Sequence, residues 1–230
     1  MKYNTPKTYK LNISKEIPDI ASRLIISKDK HMDYYAVKAL TNIKKDEIIL
    51  LEYPECTLYG EVEIDRGLQV VKKYIEYMNT EYIKELYPRD FVTFKPNTII
   101  KNIHKIIKHL DTEQKHNVQV TSIIVFFKQY SKQLIEFYYA KYIYNAFEGF
   151  HYGPLTLPML AKFNHSCKNN NIIFKFDSEK GCMIVKTTCD IKKGDELFNS
   201  YLYNKNIENH KAYILEHYNF DCGCNSLNSG

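Results

Sequence analysis

The chain has 230 residues, of which 44% are hydrophobic and 26% are charged, and its formal net charge is +5 at pH 7. This length and apolar content allow one sizeable domain with an insert, or two small domains, around a buried core. Basic and acidic residues are mixed along the chain without a dense basic block, so we expect no direct nucleic-acid binding.

The first ten residues and the apolar runs indicate the cellular location of the protein. Residues 1–10 lack the apolar core of a secretory signal, and the longest apolar run, Ile123 to Phe127, is too short to cross a bilayer. We therefore expect an intracellular protein, nuclear or cytoplasmic, that is neither secreted nor bound to a membrane. In that compartment the six cysteines are expected to be free thiols or metal ligands rather than a disulfide framework.

The first part of the chain predicts strands followed by helices. Residues 20–60 contain short β-prone stretches separated by polar turns, and these lie at 23–26, 34–38 and 48–53. From about residue 62 to 146, apolar residues recur at steps of three and four, which predicts amphipathic helices. The apolar stripes run over 64–78, 99–110 and 120–138.

The second part of the chain returns to strands. After Phe147, strand-like segments lie at 172–176, 183–187 and 196–199. A final helix is predicted over 207–217, with Asn204 or Asn206 as its N-cap. Cysteines within strand-like stretches are predicted to be small buried core residues, namely Cys56, Cys182 and Cys189.

One turn sequence occurs twice. Residues 42–47, Asn-Ile-Lys-Lys-Asp-Glu, and residues 190–195, Asp-Ile-Lys-Lys-Gly-Asp, are near copies, and each leads into a predicted strand. Two β modules separated by a helical insert explain the copies, and chance similarity between two lysine-rich turns is the alternative.

Four short motifs follow one another in the second part of the chain. They are Asn145-Ala146-Phe147, Asn164-His165-Ser166-Cys167, Gly194-Asp195-Glu196-Leu197 running into Ser200-Tyr201, and Tyr218-x-Phe220-x-Cys222-x-Cys224. Singly, each has an ordinary interpretation, such as a surface loop, a packed tyrosine or, for Asn145, a helix C-cap. Their order and spacing together resemble the SET-domain lysine methyltransferases, and most closely the SET-and-MYND branch.

The resemblance implies an α+β fold, in which a SET-type domain of small β-sheets carries a helical insert and a short post-SET tail. The implied boundaries are 1–60 for the N-terminal part of the SET domain, 61–148 for the helical insert, 149–203 for the C-terminal part of the SET domain, and 204–230 for the C-terminal helix and post-SET-like tail. The MYND zinc module of that branch is absent, since no cysteine lies between Cys56 and Cys167.

The resemblance also implies an activity, namely methylation of protein lysine side chains with S-adenosylmethionine as cofactor. The partner is then a histone or non-histone protein with an accessible lysine. Tyr201 matches the tyrosine that orients the target amine, and Tyr218 matches a wall of the lysine channel. A phenol suits this reaction because it aligns a neutral amine without placing a full charge in a site that excludes water.

For the cofactor, the resemblance assigns contacts to Asn145, Asn164, His165 and Phe220. The family also has a Gly-x-Gly near its N-terminus that lets backbone approach the cofactor, and this falls at Tyr34, Tyr35 and Ala36. Side chains there leave open a weaker cofactor site, a shifted alignment, or an inactive SET-type module that binds peptides.

For metal, the resemblance assigns zinc ligands to Cys167, Cys222 and Cys224, and the fourth ligand position falls on Leu227. Either another group completes the zinc site, or the site holds no metal and the cysteines are free. A zinc-stabilised interaction module without a cofactor is the remaining alternative.

Overall fold

The computed structural model describes residues 23–28, 35–54, 66–80, 83–84, 86–113, 117–148, 154–202 and 209–223. These residues divide into two compact units. The helical unit consists of the described residues within 56–158, and the β unit consists of those within 9–55 and 159–230. Mixed helices and small sheets confirm the predicted α+β class. The predicted domain boundaries stay a prediction.

Besides a helical segment at 83–84, the helical unit has five helices and one hairpin among its described residues. They are α1 (Arg66–Glu76), α2 (Thr98–Lys101), α3 (Ile103–Glu113), α4 (Val118–Phe127), α5 (Lys132–Asn145), β4 (Ala146–Glu148) and β5 (Pro154–Thr156). Helix α1 packs against α5 and α4, and its Leu68, Val71 and Ile75 are buried as the first stripe predicts. The hydroxyl groups of Tyr74 and Thr156 meet at 2.7 Å and tie α1 to the hairpin.

The third apolar stripe forms two helices where the sequence suggested one. Helix α4 ends at Phe127, and α5 begins at Lys132. Ser131 separates them because its backbone is extended and its Oγ accepts the Leu134 N–H at 3.2 Å, which starts a new helix. The second stripe is likewise divided, at Asn102, between α2 and α3.

The β unit contains the remaining strands and one helix. They are β1 (Leu24–Lys28), β2 (Tyr35–Ala39), β3 (Ile48–Glu52), β6 (Asn164–His165), β7 (Ile172–Asp177), β8 (Cys182–Thr187), β9 (Phe198–Asn199) and α6 (His210–Tyr218). Strands β1 and β2 form an antiparallel pair, and β3, β8 and β7 form an antiparallel sheet in that order. Strands β6 and β9 pair in parallel.

The predicted strands lie close to the observed ones, with two corrections. The segment 196–199 is strand only at Phe198–Asn199. Cys182 is buried in β8 as predicted, but the prediction for Cys189 is wrong, because this residue lies beyond the end of β8 and is exposed. Cys56 lies outside the described residues.

The two near-copy turns lie side by side. Ile43 and Ile191 form an antiparallel bridge, and the Lys44 Nζ contacts an Asp190 carboxylate oxygen at 2.7 Å. This pairing places the entrance to β3 next to the turn that leads toward β9.

The last helix starts later than predicted. Asn209 is its N-cap, because its Oδ1 accepts the Ala212 N–H at 2.9 Å. The predicted caps, Asn204 and Asn206, lie outside the described residues. The helix ends at Tyr218, where Asn219 turns the chain with a left-handed φ of 61°. Of the helices in the described part of the chain, none has both the length and the apolar character needed to cross a membrane.

Candidate functional site

A buried carboxylate holds the backbone of the segment that precedes β6, the first strand of the site. Glu52, at the end of β3, is 3% exposed, and its two oxygens accept the N–H groups of Met159 at 2.6 Å and Leu160 at 2.7 Å. A 3-10 turn, Leu160–Lys162, follows and delivers Asn164 and His165 to β6. Because both oxygens are used, the start of this turn is held in one position.

Asn164 is fixed by two hydrogen bonds from one amide nitrogen. Its Nδ2 donates to the Tyr35 carbonyl and to the Glu196 carboxylate, both at 2.7 Å. These contacts use both hydrogens of the amide, so the side chain can offer a ligand only its Oδ1. The Lys162 Nζ lies 4.4 Å from the centre of the Tyr35 ring and covers the neighbouring surface.

His165 is held by contacts at both ring nitrogens. Its Nδ1 accepts the backbone N–H of Tyr201 at 3.0 Å, and its Nε2 lies 2.9 Å from Cys167 Sγ. Since Nδ1 is an acceptor, the neutral ring carries its proton on Nε2 and donates it to the sulfur. Burial lowers the pKa of His165 to about 4, against a raising effect of the Asn199 backbone, so the ring is neutral at physiological pH.

Tyr201 follows β9, and its side chain points back toward the segment before β6. Its hydroxyl donates to the Phe163 carbonyl at 3.0 Å. Burial, with a smaller effect of Tyr218, raises the pKa of this phenol well above its usual range. The group is therefore a neutral phenol whose hydrogen is already placed and whose oxygen lone pairs remain as acceptors.

Aromatic rings from α6 and the tail close the cluster around Tyr201. The Tyr218 ring centre lies 4.8 Å from that of Tyr201, and the Phe220 ring centre lies 6.3 Å from it, edge to face. Phe220 also lies 6.2 Å from the His165 ring and is 37% exposed. Burial, with a smaller effect of Tyr213, raises the pKa of Tyr218 to about 12. The result is a largely apolar wall in which the Phe220 side chain is partly exposed.

Two of the predicted zinc ligands lie together. The sulfur atoms of Cys167 and Cys222 are 3.7 Å apart, and together with a nitrogen of His165 they form a cluster whose ligand atoms lie within 4.8 Å of one another. Two thiolates about 2.3 Å from a tetrahedral zinc are about 3.8 Å apart, so the sulfurs fit the ion. His165 does not fit as a third ligand, because its Nε2 carries the proton and would have to lose it.

The structure thus brings together Asn164, His165, Tyr201, Tyr218 and Phe220 within the β unit. Tyr35 and Ala36 lie on β2 in the same unit, and the Tyr35 carbonyl contacts Asn164 directly. Tyr34 and Cys224 lie outside the described residues.

Asn145 belongs to the helical unit, at the last residue of α5. Its Nδ2 donates to the carbonyls of Tyr87 at 2.6 Å and Lys141 at 2.7 Å, and its Oδ1 accepts the Tyr87 N–H at 3.3 Å. The Lys141 carbonyl lies in the last turn of α5, whereas the two bonds to Tyr87 join the end of this helix to the segment before α2. The C-cap of α5 is Ala146, so Asn145 is the last helical residue and not the C-cap. Its contact with a cofactor stays a prediction.

The SET domain family matches residues 34–202 of the chain. This chain belongs to that family. No match is found among curated proteins. The family match confirms the predicted SET-type fold, and it includes all of β2 through β9.

Solved structures similar to this SET domain share its fold at low sequence identity. The SET domain of LSMT bound to lysine and AdoHcy aligns with a TM-score of 0.56 and 14% identity over 86% of this chain and 53% of that one. The same domain bound to MeLysine and AdoHcy aligns with a TM-score of 0.54 and 15% identity, over 86% of this chain and 52% of that one. Rubisco LSMT bound to AdoMet aligns with a TM-score of 0.50 and 14% identity, over 86% of this chain and 52% of that one. The chain therefore spans about half the length of these proteins.

Two partners in this SET domain site were not predicted from the sequence. Glu196 positions Asn164 through its carboxylate, and the Phe163 carbonyl accepts from Tyr201. Glu196 lies within the Gly-Asp-Glu-Leu motif, so its place in that motif could have marked it as a site residue. The Phe163 contact is made by a backbone atom, for which the side-chain pattern offers no signal.

Proposed function

We propose that this chain is an S-adenosylmethionine-dependent methyltransferase that acts on lysine side chains of proteins. The observation that carries the proposal is the cluster at the end of β9, where the Tyr201 ring meets the rings of His165, Tyr218 and Phe220. Membership of the SET domain family supports it, as do the lysine, methyl-lysine and cofactor ligands named for the similar structures.

The described residues offer groups suited to the cofactor. Bound S-adenosylmethionine supplies a methyl group activated by its sulfonium sulfur. Asn164 Oδ1 can accept from an amino group, since both hydrogens of this amide are directed to protein acceptors. Phe220, which is partly exposed, can pack against a purine ring. The Tyr35 carbonyl on β2 contacts Asn164, and Tyr35 and Ala36 are proposed to border the same site.

Tyr201 would orient the target amine as a hydrogen-bond acceptor. Its hydrogen is used at Phe163, so its oxygen faces an amine N–H with lone pairs. As a neutral phenol it does not favour the protonated ammonium, which has no lone pair for attack. The amine lone pair would form an N–C bond with the methyl group, and the sulfur of the cofactor would keep the electron pair of the broken C–S bond. The methylated ammonium then loses a proton to solvent.

Tyr218 would bound the space available to that amine. Its ring lies 4.8 Å from Tyr201, and its raised pKa keeps it uncharged. A wall at this distance limits the number of methyl groups that the amine can carry while it remains aligned.

We also propose the finer assignments. Cys167, Cys222 and Cys224 would hold a structural zinc, with a fourth ligand supplied from elsewhere, and the chain would be closest to the SET-and-MYND type. The substrate would be a histone or non-histone protein in the nucleus or cytoplasm. The fit of the Cys167 and Cys222 sulfurs to a tetrahedral ion supports the zinc assignment.

A second candidate function is an inactive SET-type module that binds peptides. The observation that favours it is the replacement of the family's Gly-x-Gly by Tyr34, Tyr35 and Ala36. Side chains at these positions can prevent close approach of backbone to a cofactor.

The test is incubation of the purified protein with methyl-labelled S-adenosylmethionine and a panel of histone and non-histone proteins. Mass spectrometry should find label on lysine side chains, and Tyr201→Phe provides the matched low-activity control. Cofactor binding without transfer to any protein in the panel would favour the inactive module. A protein that binds no cofactor at all would contradict the methyltransferase proposal.

A further inference from the structure

Two thiols lie within a short movement of a disulfide bond. The sulfur atoms of Cys167 and Cys222 are 3.7 Å apart, and both residues are in the reduced state. A disulfide joins its sulfurs at about 2.05 Å, so each sulfur would have to move by about 0.8 Å. The two residues are 55 positions apart in the sequence, so it is the fold that brings them together.

Contacts on both sides keep the two thiols near each other. The Cys167 sulfur lies 2.9 Å from His165 Nε2, just after β6. On the other side, Lys211 of α6 forms an ion pair with Asp221 at 2.8 Å, and Cys222 is the next residue. This ion pair is exposed and therefore weak, so it guides the tail after α6 without locking it.

A small oxidant can reach this pair, because both cysteines are only partly buried. Residues 221–223 form neither helix nor strand, and the two neighbours of Cys222 are exposed. The tail can therefore make the short movement that the bond requires. Cys182 differs on both counts, because it is fully buried and is held within strand β8.

We propose that Cys167 and Cys222 are a site of oxidation, at which a hydroperoxide joins the two thiols in a disulfide. One cysteine attacks the peroxide as its thiolate, so that an S–O bond forms, the O–O bond breaks, and the departing oxygen takes the electron pair and a proton. The second cysteine then attacks the sulfenic sulfur, the S–S bond forms, and the hydroxyl group leaves as water. With hydrogen peroxide, the two thiols lose two hydrogen atoms and the peroxide becomes two molecules of water.

The disulfide fixes the tail that carries Phe220, a consequence whose effect on the cofactor rests on the proposed function. Phe220 precedes Cys222 by two residues, and its ring lies 6.2 Å from that of His165 and 6.3 Å from that of Tyr201. Sulfurs joined in a disulfide are not thiolates, so the disulfide and a bound metal are alternative ways to hold the same tail. The metal-free chain should therefore bind S-adenosylhomocysteine more tightly when it is oxidised than when it is reduced.

The first experiment treats the full chain, reduced and freed of metal by a chelator, with an equimolar amount of hydrogen peroxide. The intact mass should fall by two hydrogen atoms, a non-reducing peptide map should join Cys167 to Cys222, and dithiothreitol should restore the mass. Cys189→Ser should react as the parent does, because it removes an exposed thiol outside the pair. Cys222→Ser should show no loss of mass. Reduced thiols at both positions after the peroxide is consumed, or a disulfide from Cys222 to a different cysteine, would overturn the proposed site.

Melting and binding measurements on the oxidised and reduced chains complete the test. Without ligand, the oxidised chain should melt roughly 5 to 10 °C higher, because the bond joins residues 55 positions apart and restricts the unfolded chain. Calorimetric titration should give a Kd for S-adenosylhomocysteine that is about twofold to tenfold lower in the oxidised chain, because the tail is already ordered. Equal Kd values in the two states would overturn the effect on the cofactor site. A chain that binds no cofactor in either state would overturn the proposed function, whereas the disulfide found by mass would stand.

Discussion

The hydroxyl of Tyr201 has a fixed direction, because it donates to the Phe163 carbonyl at 3.0 Å. Tyr201→Phe keeps the ring and deletes the oxygen that would accept from the amine. We expect kcat to fall by on the order of 10²-fold with little change in KM, as for other positioned polar groups that act in the transition state. The free energy of unfolding should fall by only about 1 kcal/mol, for one lost hydrogen bond.

The matched control for Tyr201→Phe is Tyr53→Phe, which deletes one hydroxyl from the segment after β3. It should retain the parental kcat in an assay with labelled S-adenosylmethionine. A Tyr201→Phe variant that methylates at the parental rate would remove this residue from the proposed mechanism.

The pKa of Tyr218 predicts how stability depends on alkaline pH. Burial raises this pKa to about 12, against about 10 in an unfolded chain. The folded state therefore holds the proton between these values while the unfolded state releases it. The stabilisation is complete below about pH 10 and is lost as the pH rises toward about 12. Urea denaturation at successive alkaline pH values should show a shallower loss for Tyr218→Phe, and equal slopes in both proteins would contradict the burial of this phenol.

At the scale of elements, the two near-copy turns have the same backbone conformation and the same hydrogen bond from a lysine N–H to an acidic side chain three residues later. Lys44 N–H donates to Glu47 at 2.7 Å, and Lys192 N–H donates to Asp195 at 3.0 Å. The fifth residue of each turn has a positive φ, which is 64° at Asp46 and 92° at Gly194. The repeated sequence therefore corresponds to a repeated local structure, which the sequence left open beside chance similarity.

The backbone conformation of these turns predicts how two substitutions change stability. Asp46 holds a left-handed conformation that costs an L residue roughly 1 kcal/mol and costs glycine little. Asp46→Gly should therefore raise the free energy of unfolding by up to about 1 kcal/mol, and Gly194→Ala should lower it by a similar amount. Chemical denaturation of the two variants and the parent tests both signs. Destabilisation by Asp46→Gly would show that the aspartate side chain contributes more than its backbone costs.

Elements with strong periodicity or β-branched runs could be predicted, and short ones could not. Helix α1 follows its apolar stripe, and β3 and β8 lie within one or two residues of their predicted positions. The break at Ser131 was missed because one polar residue does not interrupt an apolar stripe that resumes at the same spacing. The parallel pairing of β6 with β9 joins segments more than thirty residues apart through two residues each, too few to show a period.

At the scale of the whole molecule, the proposed function predicts that cofactor binding stabilises the fold. A ligand that binds only the folded state at a hundredfold excess over its Kd adds about 2.7 kcal/mol to the free energy of unfolding. S-adenosylhomocysteine should therefore raise the melting temperature, and calorimetric titration should give about one site per chain. Phe220→Ala should reduce this gain, because it removes the exposed ring at the site. Leu215→Ala, which removes another exposed apolar side chain from α6, should leave the gain unchanged. Millimolar ligand without a melting shift would contradict the cofactor assignment.

The tail after α6 connects the proposed zinc to the proposed cofactor site, because Phe220 and Cys222 are two residues apart. Cys222 Sγ lies 3.7 Å from Cys167 Sγ, next to the ring of His165 that Phe220 faces. A metal shared by these thiols would restrict the tail and so hold Phe220 against the site. Chelation should release about one zinc per chain and weaken binding of S-adenosylhomocysteine, measured by calorimetric titration.

Substitution separates this effect of zinc from a general effect of thiol loss. Cys222→Ser should reproduce the weaker cofactor binding without chelator, whereas Cys189→Ser, at an exposed position after β8, should bind metal and cofactor as the parent does. Alkylation of the native protein should spare Cys167 and Cys222 until the metal is removed. Rapid alkylation of both before chelation would contradict a metal at these thiols. The cofactor site would then be held by the ring contacts of Phe220 with His165 and Tyr201 alone.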